Sequence, residues 1–384
     1  MSLTTTAKNV KIGFVIFVAF IIVYLLGASL FVPALKGVYR AIFPPKNPPN
    51  PVYGRLEPLE FEPQRILNTS QPKYTLFTSN GKLPGDLPKR MTVYKYSGSA
   101  FSYQAGKDAT DTAQILGFSQ EDLATSLKGD IYKWVEPTTG ANLEINIGTK
   151  EINLKTPNSS LVNVYKEGSM NRTVASTLAK EYLRNIGRFS DPLYLKGSQT
   201  VDLGTIENRK IEYTSYAGEA EIGYVNFFRS IEDFPIVGPK YDTGLIRIQV
   251  GKRKNERDEV RKVLNHPYIY YNVKGIRSQS NATYPIIPVT TAWSQIIAGN
   301  GVISLVKPND LSPFEEYTPV RIAEILINDI FLSYYDDTEV QPYLQPIYVF
   351  KGNYIGPNNE KGTIAIYYPA VSGEYVKSAQ SETN

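Results

Sequence analysis

The stretch VNFFRSIEDFPIVGPKYDTGLIRIQV, residues 225–250, carries the strongest pattern in the sequence. Both of its ends are rich in β-branched and aromatic residues, a composition that favours β-strands. Asp233-Phe234-Pro235 in the middle is typical of a turn, because aspartate accepts hydrogen bonds from nearby backbone amides and proline fixes φ. The stretch therefore predicts two strands joined by a turn, and we interpret it as scaffold rather than as a reactive site.

The segments around this stretch repeat one theme, a helix followed by antiparallel strands. Helices are predicted at residues 108–119, 171–189 and 289–301. The second of them has apolar residues on one face at four-residue spacing, at Val174, Leu178, Tyr182 and Ile186. The pattern predicts an α+β fold, with one N-terminal transmembrane helix followed by tandem modules of a helix packed on curved antiparallel sheet.

The predicted organisation has seven parts. They are a short cytoplasmic tail (1–11), a transmembrane helix (12–35), a proline-rich spacer (36–60), a first α+β module (61–160), a second module (161–280), a third module (281–376) and a disordered tail (377–384).

Residues 12–35 form an uncharged, mostly apolar run. At 1.5 Å per helical residue this run is long enough for about 30 Å of hydrocarbon, and it is longer than the apolar part of a cleavable signal peptide. Basic residues flank it almost equally on both sides, so charge alone does not decide its orientation. An uncleaved signal-anchor near the amino terminus commonly translocates the polypeptide on its C-terminal side. We therefore expect a single-pass protein of the plasma membrane with its C-terminal body extracytoplasmic.

The segment FPPKNPPNPVYGRLEPLEF, residues 43–61, comes after the apolar run. Its proline density favours polyproline II, which is a semi-rigid spacer. A ligand for an aromatic groove of the SH3 kind is the alternative interpretation.

Charge and composition exclude several classes of protein. The first 50 residues carry five basic residues and no acid, so the rest of the chain has a net charge of −1 within a total of +4. A nearly neutral body argues against nucleic-acid binding. The absence of cysteine excludes disulfides and thiolate metal sites, and His266 is the only histidine. We find no P-loop, G-x-S-x-G or H-E-x-x-H motif, and predict no cofactor, no metal and no catalytic residue.

The motifs DFPIVG, residues 233–238, and TGLIRIQV, residues 243–250, come after a helix and an aromatic strand and resemble the PepSY and thermolysin-propeptide class of extracytoplasmic domains. Residues 281–376 are similar to the closing domain of the YycH/YycI family of membrane-anchored regulators of a cell-wall histidine kinase. The segments that carry this likeness are TAWSQIIAGNG, INDIFLSYYDD and YLQPIYVFKG. The resemblance spans residues 165–371 and implies binding of a partner rather than turnover of a substrate.

We therefore predict a non-enzymatic protein that is anchored in the bilayer through residues 12–35. It would bind, and regulate or scaffold, a protein partner of the membrane or envelope, such as a sensor kinase. The candidate binding residues are Phe228, Arg229, Asp233, Tyr334, Tyr335 and Tyr348. Two alternatives stay open, a cell-wall or polysaccharide-binding protein with tyrosine-rich surfaces, and a hydrolase whose site has no recognisable motif.

Three further features have simpler interpretations than a functional one. Asp336, Asp337 and Glu339 offer oxygen ligands for Ca²⁺ but lack the regular D-x-D-x-D-G spacing, so we expect a solvated hairpin. Residues 251–262 mix basic and acidic side chains, which is typical of a solvated turn or helix face. His266 lacks a recognisable nucleophile or acid beside it, and we expect it in a turn or at the surface.

Overall fold

The computed structural model describes residues 48–98, 104–124, 129–189 and 191–378. The predicted transmembrane segment, residues 12–35, lies outside these ranges. Within them, no helix has the length and apolar character needed to cross a membrane. The described residues from Pro51 onward form one compact unit.

Eighteen strands are present in the described ranges. They are β1 (Lys73–Leu76), β2 (Arg90–Thr92), β3 (Tyr94–Lys95), β4 (Ile131–Glu136), β5 (Ala141–Asn146), β6 (Ile152–Lys155), β7 (Ser198–Glu207), β8 (Lys210–Thr214), β9 (Ile222–Phe228), β10 (Ser230–Ile231), β11 (Phe234–Val237), β12 (Ile246–Gly251), β13 (Tyr268–Tyr271), β14 (Thr283–Pro285), β15 (Val302–Pro308), β16 (Glu324–Tyr335), β17 (Tyr343–Ile355) and β18 (Lys361–Pro369).

Four α-helices and three 3₁₀ turns accompany these strands in the same ranges. The helices are α1 (Ala105–Ile115), α2 (Arg172–Asn185), α3 (Pro192–Leu195) and α4 (Val289–Ile297). The 3₁₀ turns are Asn158–Leu161, Glu259–Asn265 and Gly373–Tyr375. The three predicted helices are therefore present, at α1, α2 and α4.

Two eight-stranded sheets contain most of the strands. Sheet A has the order β4-β5-β6-β13-β12-β9-β7-β8, and its neighbouring strands are antiparallel. Sheet B has the order β10-β11-β16-β17-β18-β15, with β1 also paired to β16 and β3 to β17. The pairs β1–β16 and β11–β16 are parallel. A separate pair joins β14 to β2.

The predicted α+β fold of tandem modules is wrong, because the described protein is mostly β-sheet and its strands do not pair module by module. Lys73 in β1 is paired with Glu324 in β16, far along the chain. Likewise β6 pairs with β13, and β11 with β16. Strands from each predicted module thus complete the sheets of another. Local alternation detects a strand but not its partner, and this is why the modular interpretation failed.

Residues 225–250 leave sheet A and return to it. β9 lies in sheet A, whereas β10 and β11 form a hairpin in sheet B, where β11 runs parallel to the end of β16. β12 then returns to sheet A and pairs with β9, with Ile246 opposite Phe227. The two predicted strands and the turn are present, but the turn belongs to a different sheet from the strands.

The core of sheet A lies on one face. A buried row crosses six strands in register, through Trp134, Leu143, Leu154, Ile269, Ile248 and Val225. Helix α2 packs on this side through a face that includes Ala175 and Ala179, so its buried face is displaced from the predicted one. On sheet B, α4 packs against β18, and Trp293 stacks on Phe350 with ring centroids 5.9 Å apart.

The C-terminal part of the predicted spacer packs on the body. Leu56 is fully buried, and its N–H donates to the carbonyl oxygen of Tyr375 at 2.8 Å. The N–H of Lys377 in turn donates to the carbonyl oxygen of Leu56, and the Lys377 ammonium pairs with Glu57. Phe61 packs on the rings of Tyr335 and Tyr367. These contacts hold the first and last segments of the described chain against each other.

Gly223 sets how closely α2 approaches β9. A Cβ atom at this position would lie 2.4 Å from the Cβ of Ala175, nearer than two carbons can approach. We expect Gly223→Ala to lower the free energy of unfolding by about 1–3 kcal/mol, because the helix must shift. Urea unfolding of the full chain measures this. Gly85→Ala is the matched control, since nothing lies within 4 Å of a Cβ there. Equal stability of the two variants would contradict the packing argument.

Candidate functional site

The three tyrosines predicted to bind a partner lie in the core. Tyr334 and Tyr335 are fully buried, and Tyr348 is 1% exposed. The hydroxyl of Tyr334 donates to the carbonyl oxygen of Thr92 at 2.8 Å, and that of Tyr348 to Ile287 at 2.7 Å. They pack and brace sheet B in this structure, and they present no surface to a partner.

The other three predicted residues lie at the place where the chain passes from sheet A to sheet B. Phe228 is half-buried at the end of β9, and Arg229 comes next in a buried position. Asp233 is exposed in the two-residue turn of the β10–β11 hairpin, where both Glu232 and Asp233 have positive φ, 49° and 69°. These values are typical of a type I′ turn, so Asp233 shapes a tight hairpin.

Arg229 is the centre of a buried charged cluster. Its guanidinium pairs with the carboxylate of Asp336, donates to the carbonyl oxygen of Lys274 at 2.9 Å and reaches Asp191 at 3.4 Å. The hydroxyl of Tyr96 donates to the other oxygen of Asp336 at 2.7 Å. Arg229 and Asp336 are only 3% and 1% exposed, so the pair is shielded from water.

The electrostatics of this cluster are set by burial and pairing. Burial lowers the pKa of Arg229, but Asp336, Tyr194, Tyr96 and Asp191 together outweigh it and the pKa is raised. Burial also lowers the pKa of the Lys274 ammonium, and Asp336 and Asp337 oppose that change. Tyr96 has a raised pKa through burial and then through Asp336. The close pairing of Arg229 with Asp336, away from water, suits a structural role.

The space beside the cluster is too small for a ligand. A cavity of about 10 Å³ lies between Phe228, Arg229, Leu245 and Asp336, which is about the space of one water. Asp336 and Asp337 are buried at the start of the β16–β17 connection, so the predicted solvated acidic hairpin is wrong for both. Their carboxylates serve the cluster and the turn. In the described part of the chain no group of three or more His, Asp or Glu side chains is placed to hold a metal ion.

His266 is half-buried, and its ring packs against that of Tyr182 of α2 in a tilted arrangement, with centroids 4.3 Å apart. Desolvation lowers the pKa of His266 to about 4. A lone imidazole that stays neutral in a packed site is a structural contact between α2 and the segment before β13. The expectation of a turn position is confirmed, because His266 comes directly after the 3₁₀ turn Glu259–Asn265.

A more accessible feature lies at strand β7, which sequence reasoning missed. β7 has ten residues and pairs with β9 through Ser198–Gly204, but with β8 only through Leu203–Glu207. A two-residue turn at Asn208 and Arg209, with φ of 48° and 65°, joins the two strands, and β8 ends after five residues, at Thr214 opposite Leu203. Residues 198–202 therefore have no strand on their second side within the described ranges.

Helix α2 runs beside this free edge. Asn171 caps the helix, since its side chain accepts a hydrogen bond from the N–H of Val174 at 2.9 Å. Ser176 holds the helix to the strand through mutual hydrogen bonds with Gln199, at 2.8 and 3.0 Å. A groove of about 700 Å³ lies between helix and strand. Its lining residues are Arg172, Thr173, Ser176, Thr177, Lys180, Gln199, Thr200, Val201 and Asp202.

The groove continues into a second hollow of about 340 Å³ at the start of β7, and Lys180 and Gln199 border both. Phe189, Tyr194, Leu195 and Phe227 supply its apolar lining. Leu195 is 65% exposed, although its neighbours Leu193 and Tyr194 in the same helix are buried. We call the two hollows together the α2–β7 groove. Its geometry can accept an extended chain along the strand, with a side chain in the apolar end.

The buried ion pair gives a test of the cluster. Asp336→Asn leaves the buried Arg229 charge without its closest counter-ion, with only the long contact to Asp191, so we expect a loss of about 3–5 kcal/mol in the free energy of unfolding. Asp191→Asn is the control and should cost about 1 kcal/mol or less, because Asp191 is partly exposed and its contact is long. If Asp336→Asn fails to fold, Arg229→Met combined with Asp336→Leu should restore folding. Equal losses in the two single variants would contradict the assignment.

His266 gives a pH test. Its pKa of about 4 lies below the ordinary 6.5, so the native state binds fewer protons than the unfolded state. Stability is therefore complete above pH 6.5 and is lost as the pH falls toward 4. Between pH 7 and pH 5 we expect a loss of about 2 kcal/mol, measured by urea unfolding. His266→Gln should lack this loss, and since no other histidine is present, an equal loss in the variant would refute the argument.

Comparisons with known proteins add no function. No protein-family model matches the sequence, and no curated protein matches it. One similar solved structure is the crystal structure of an uncharacterized protein from Eubacterium rectale ATCC 33656. It is 11% identical, with a TM-score of 0.42 over 82% of this chain and 92% of that chain. That protein is described as uncharacterized, so it supplies no activity, ligand or partner for this chain.

Proposed function

We propose that the protein is a membrane-anchored, extracytoplasmic binding protein that recruits a partner protein to the α2–β7 groove. The observation that carries the proposal is the free edge of residues 198–202 beside an exposed helix face. The partner would add an extended segment to sheet A as a further strand.

Addition of a strand would supply hydrogen-bond partners for the unpaired backbone groups of the free edge. In an antiparallel strand every second residue directs its N–H and C=O away from its paired neighbour. Along residues 198–202, no described backbone group outside sheet A bonds to these groups. A partner segment would satisfy them, while pockets on the groove wall would select its side chains.

The expected location of the partner is inferred from the sequence. The uncharged run of residues 12–35 supports an anchor in the plasma membrane, and the resemblance to YycH/YycI regulators supports a partner in the membrane or envelope, such as a sensor kinase. A regulator that sits beside its target in the membrane needs only moderate affinity, because anchoring raises the effective concentration.

Polysaccharide binding is the second candidate, and a different face favours it. On the face of sheet A opposite its core, the guanidinium of Arg247 lies 4.1 Å from the ring centroid of Tyr270 and 5.9 Å from that of Tyr268. Aromatic rings on a sheet face away from the core are suited to stacking against sugars.

An experiment in intact cells separates the two. A photo-crosslinking residue at Thr200 in the full-length chain should capture a partner polypeptide, and mass spectrometry should identify the captured segment. Thr177→Trp fills the groove from the helix side and should abolish the crosslink. Glu181→Trp is the matched control, because Glu181 is exposed on the same helix outside the groove lining.

Binding should also slow hydrogen exchange of the amides in residues 198–202, since strand addition protects them. Failure of the Thr200 crosslink, or its persistence in Thr177→Trp, would overturn the proposal. Retention on insoluble peptidoglycan that is lost with Tyr270→Ala, and kept in Thr177→Trp, would favour the polysaccharide alternative.

A further inference from the structure

The helix wall of the α2–β7 groove is basic. Arg172, Lys180 and Arg184 lie on α2 at spacings of eight and four residues, which places them along one side of the helix. None of these three side chains forms an ion pair within the described ranges. Three cations along one wall of a groove attract an anionic occupant.

One carboxylate faces these cations from the strand wall. Asp202 is half-buried, and burial raises its pKa while Lys307 and Arg172 oppose that change. Asp202 lies at the Arg172 end of the groove, so its negative charge offsets the positive charge only at that end. Lys180 and Arg184, which border the apolar hollow, face no acidic side chain among its lining residues. The unbalanced positive charge is thus greatest where the groove meets the hollow.

The apolar hollow constrains the occupant in a second way. Phe189, Tyr194 and Phe227 are nearly buried and form its floor, whereas Leu195 stands at its rim with most of its surface in water. The guanidinium of Arg184 lies 5.8 Å from the ring centroid of Phe189. An apolar side chain of the occupant would cover Leu195, and a neighbouring carboxylate would meet Arg184.

We propose that the occupant of the α2–β7 groove is an extended peptide segment with acidic side chains directed at α2 and an apolar side chain in the hollow beside Leu195. This inference rests on the proposed function. A nucleic-acid strand shares the anionic charge, but it offers no backbone N–H and C=O to pair with a strand edge, so a peptide fits both features. The Ser176–Gln199 contact makes the middle of the groove polar and favours small polar side chains there.

Defined probes test the inference on the purified full-length chain. The probe is a fluorescein-labelled synthetic peptide of about nine residues, which spans about 30 Å when extended. Its sequence alternates glutamate and threonine and has a leucine at one end. One version carries the leucine at the amino end and another carries it at the carboxyl end. Matched peptides replace every glutamate by glutamine or by lysine, and a single-stranded oligonucleotide serves as the phosphate probe. Fluorescence anisotropy reports binding.

We expect the glutamate peptide to bind at least about tenfold more tightly than the glutamine peptide, and the lysine peptide not to bind. Lys180→Glu combined with Arg184→Glu should reverse the preference. Lys254→Glu, an exposed position outside the groove, is the control. Raising the salt concentration should weaken binding of the glutamate peptide, because exposed charges are screened.

The outcomes are separable from those of the proposed function. One outcome is a crosslink at Thr200 that is lost in Thr177→Trp, together with equal binding of all three peptides. It would support the groove as the binding site and overturn the proposal that its occupant is acidic. The captured partner segment gives the same answer independently, since a segment without acidic residues would overturn that proposal. Tighter binding of the oligonucleotide than of the glutamate peptide would overturn it too. If neither peptide nor crosslink is found, both proposals fail.

Discussion

The ion pair between Arg229 and Asp336 is the constraint around which the two sheets are arranged. Arg229 comes directly after β9 of sheet A, and Asp336 directly after β16 of sheet B. A buried guanidinium must have its donors satisfied, and Asp336, Asp191 and the Lys274 carbonyl together do this. The pair thereby joins the end of β9 in sheet A to the end of β16 in sheet B. Such a pair contributes less to net stability than to the choice of one arrangement over its alternatives, because its desolvation offsets much of the attraction.

The same cluster positions the α2–β7 groove. Asp191 bonds Arg229 and also caps the short helix α3 through the N–H of Leu193 at 2.9 Å. The ring of Tyr194, in that helix, lies 5.6 Å from the guanidinium and lines the apolar hollow. β7 begins shortly after α3, and the Ser230 hydroxyl fixes the connection by donating to the carbonyl oxygen of Lys196 at 3.0 Å. The free strand edge is thus attached to the buried ion pair.

The sequence predicts local structure well and long-range pairing poorly, for a physical reason. Periodicity reflects which face of an element is buried, so it located α2, α4 and the alternating strand β5, where Leu143 and Ile145 are buried. Periodicity does not show which strands pair with each other in a sheet. Aromatic clusters such as Tyr334-Tyr335 gave the same pattern for a core as for a binding surface, and they proved to be core. Arg229 was predicted to bind a partner, whereas it is buried against Asp336, which had been predicted to be solvated.

The candidate site escaped prediction because it consists of a difference in length between two strands rather than of a motif. An exposed edge is normally a hazard, since any extended chain can pair with it. Here α2 lies alongside the edge, and Arg172 and Lys180 line the groove between helix and strand. A chain that pairs with residues 198–202 would therefore lie against a basic helix face. Under the proposed function, the same basic helix face that borders the free edge also selects which segment pairs with it.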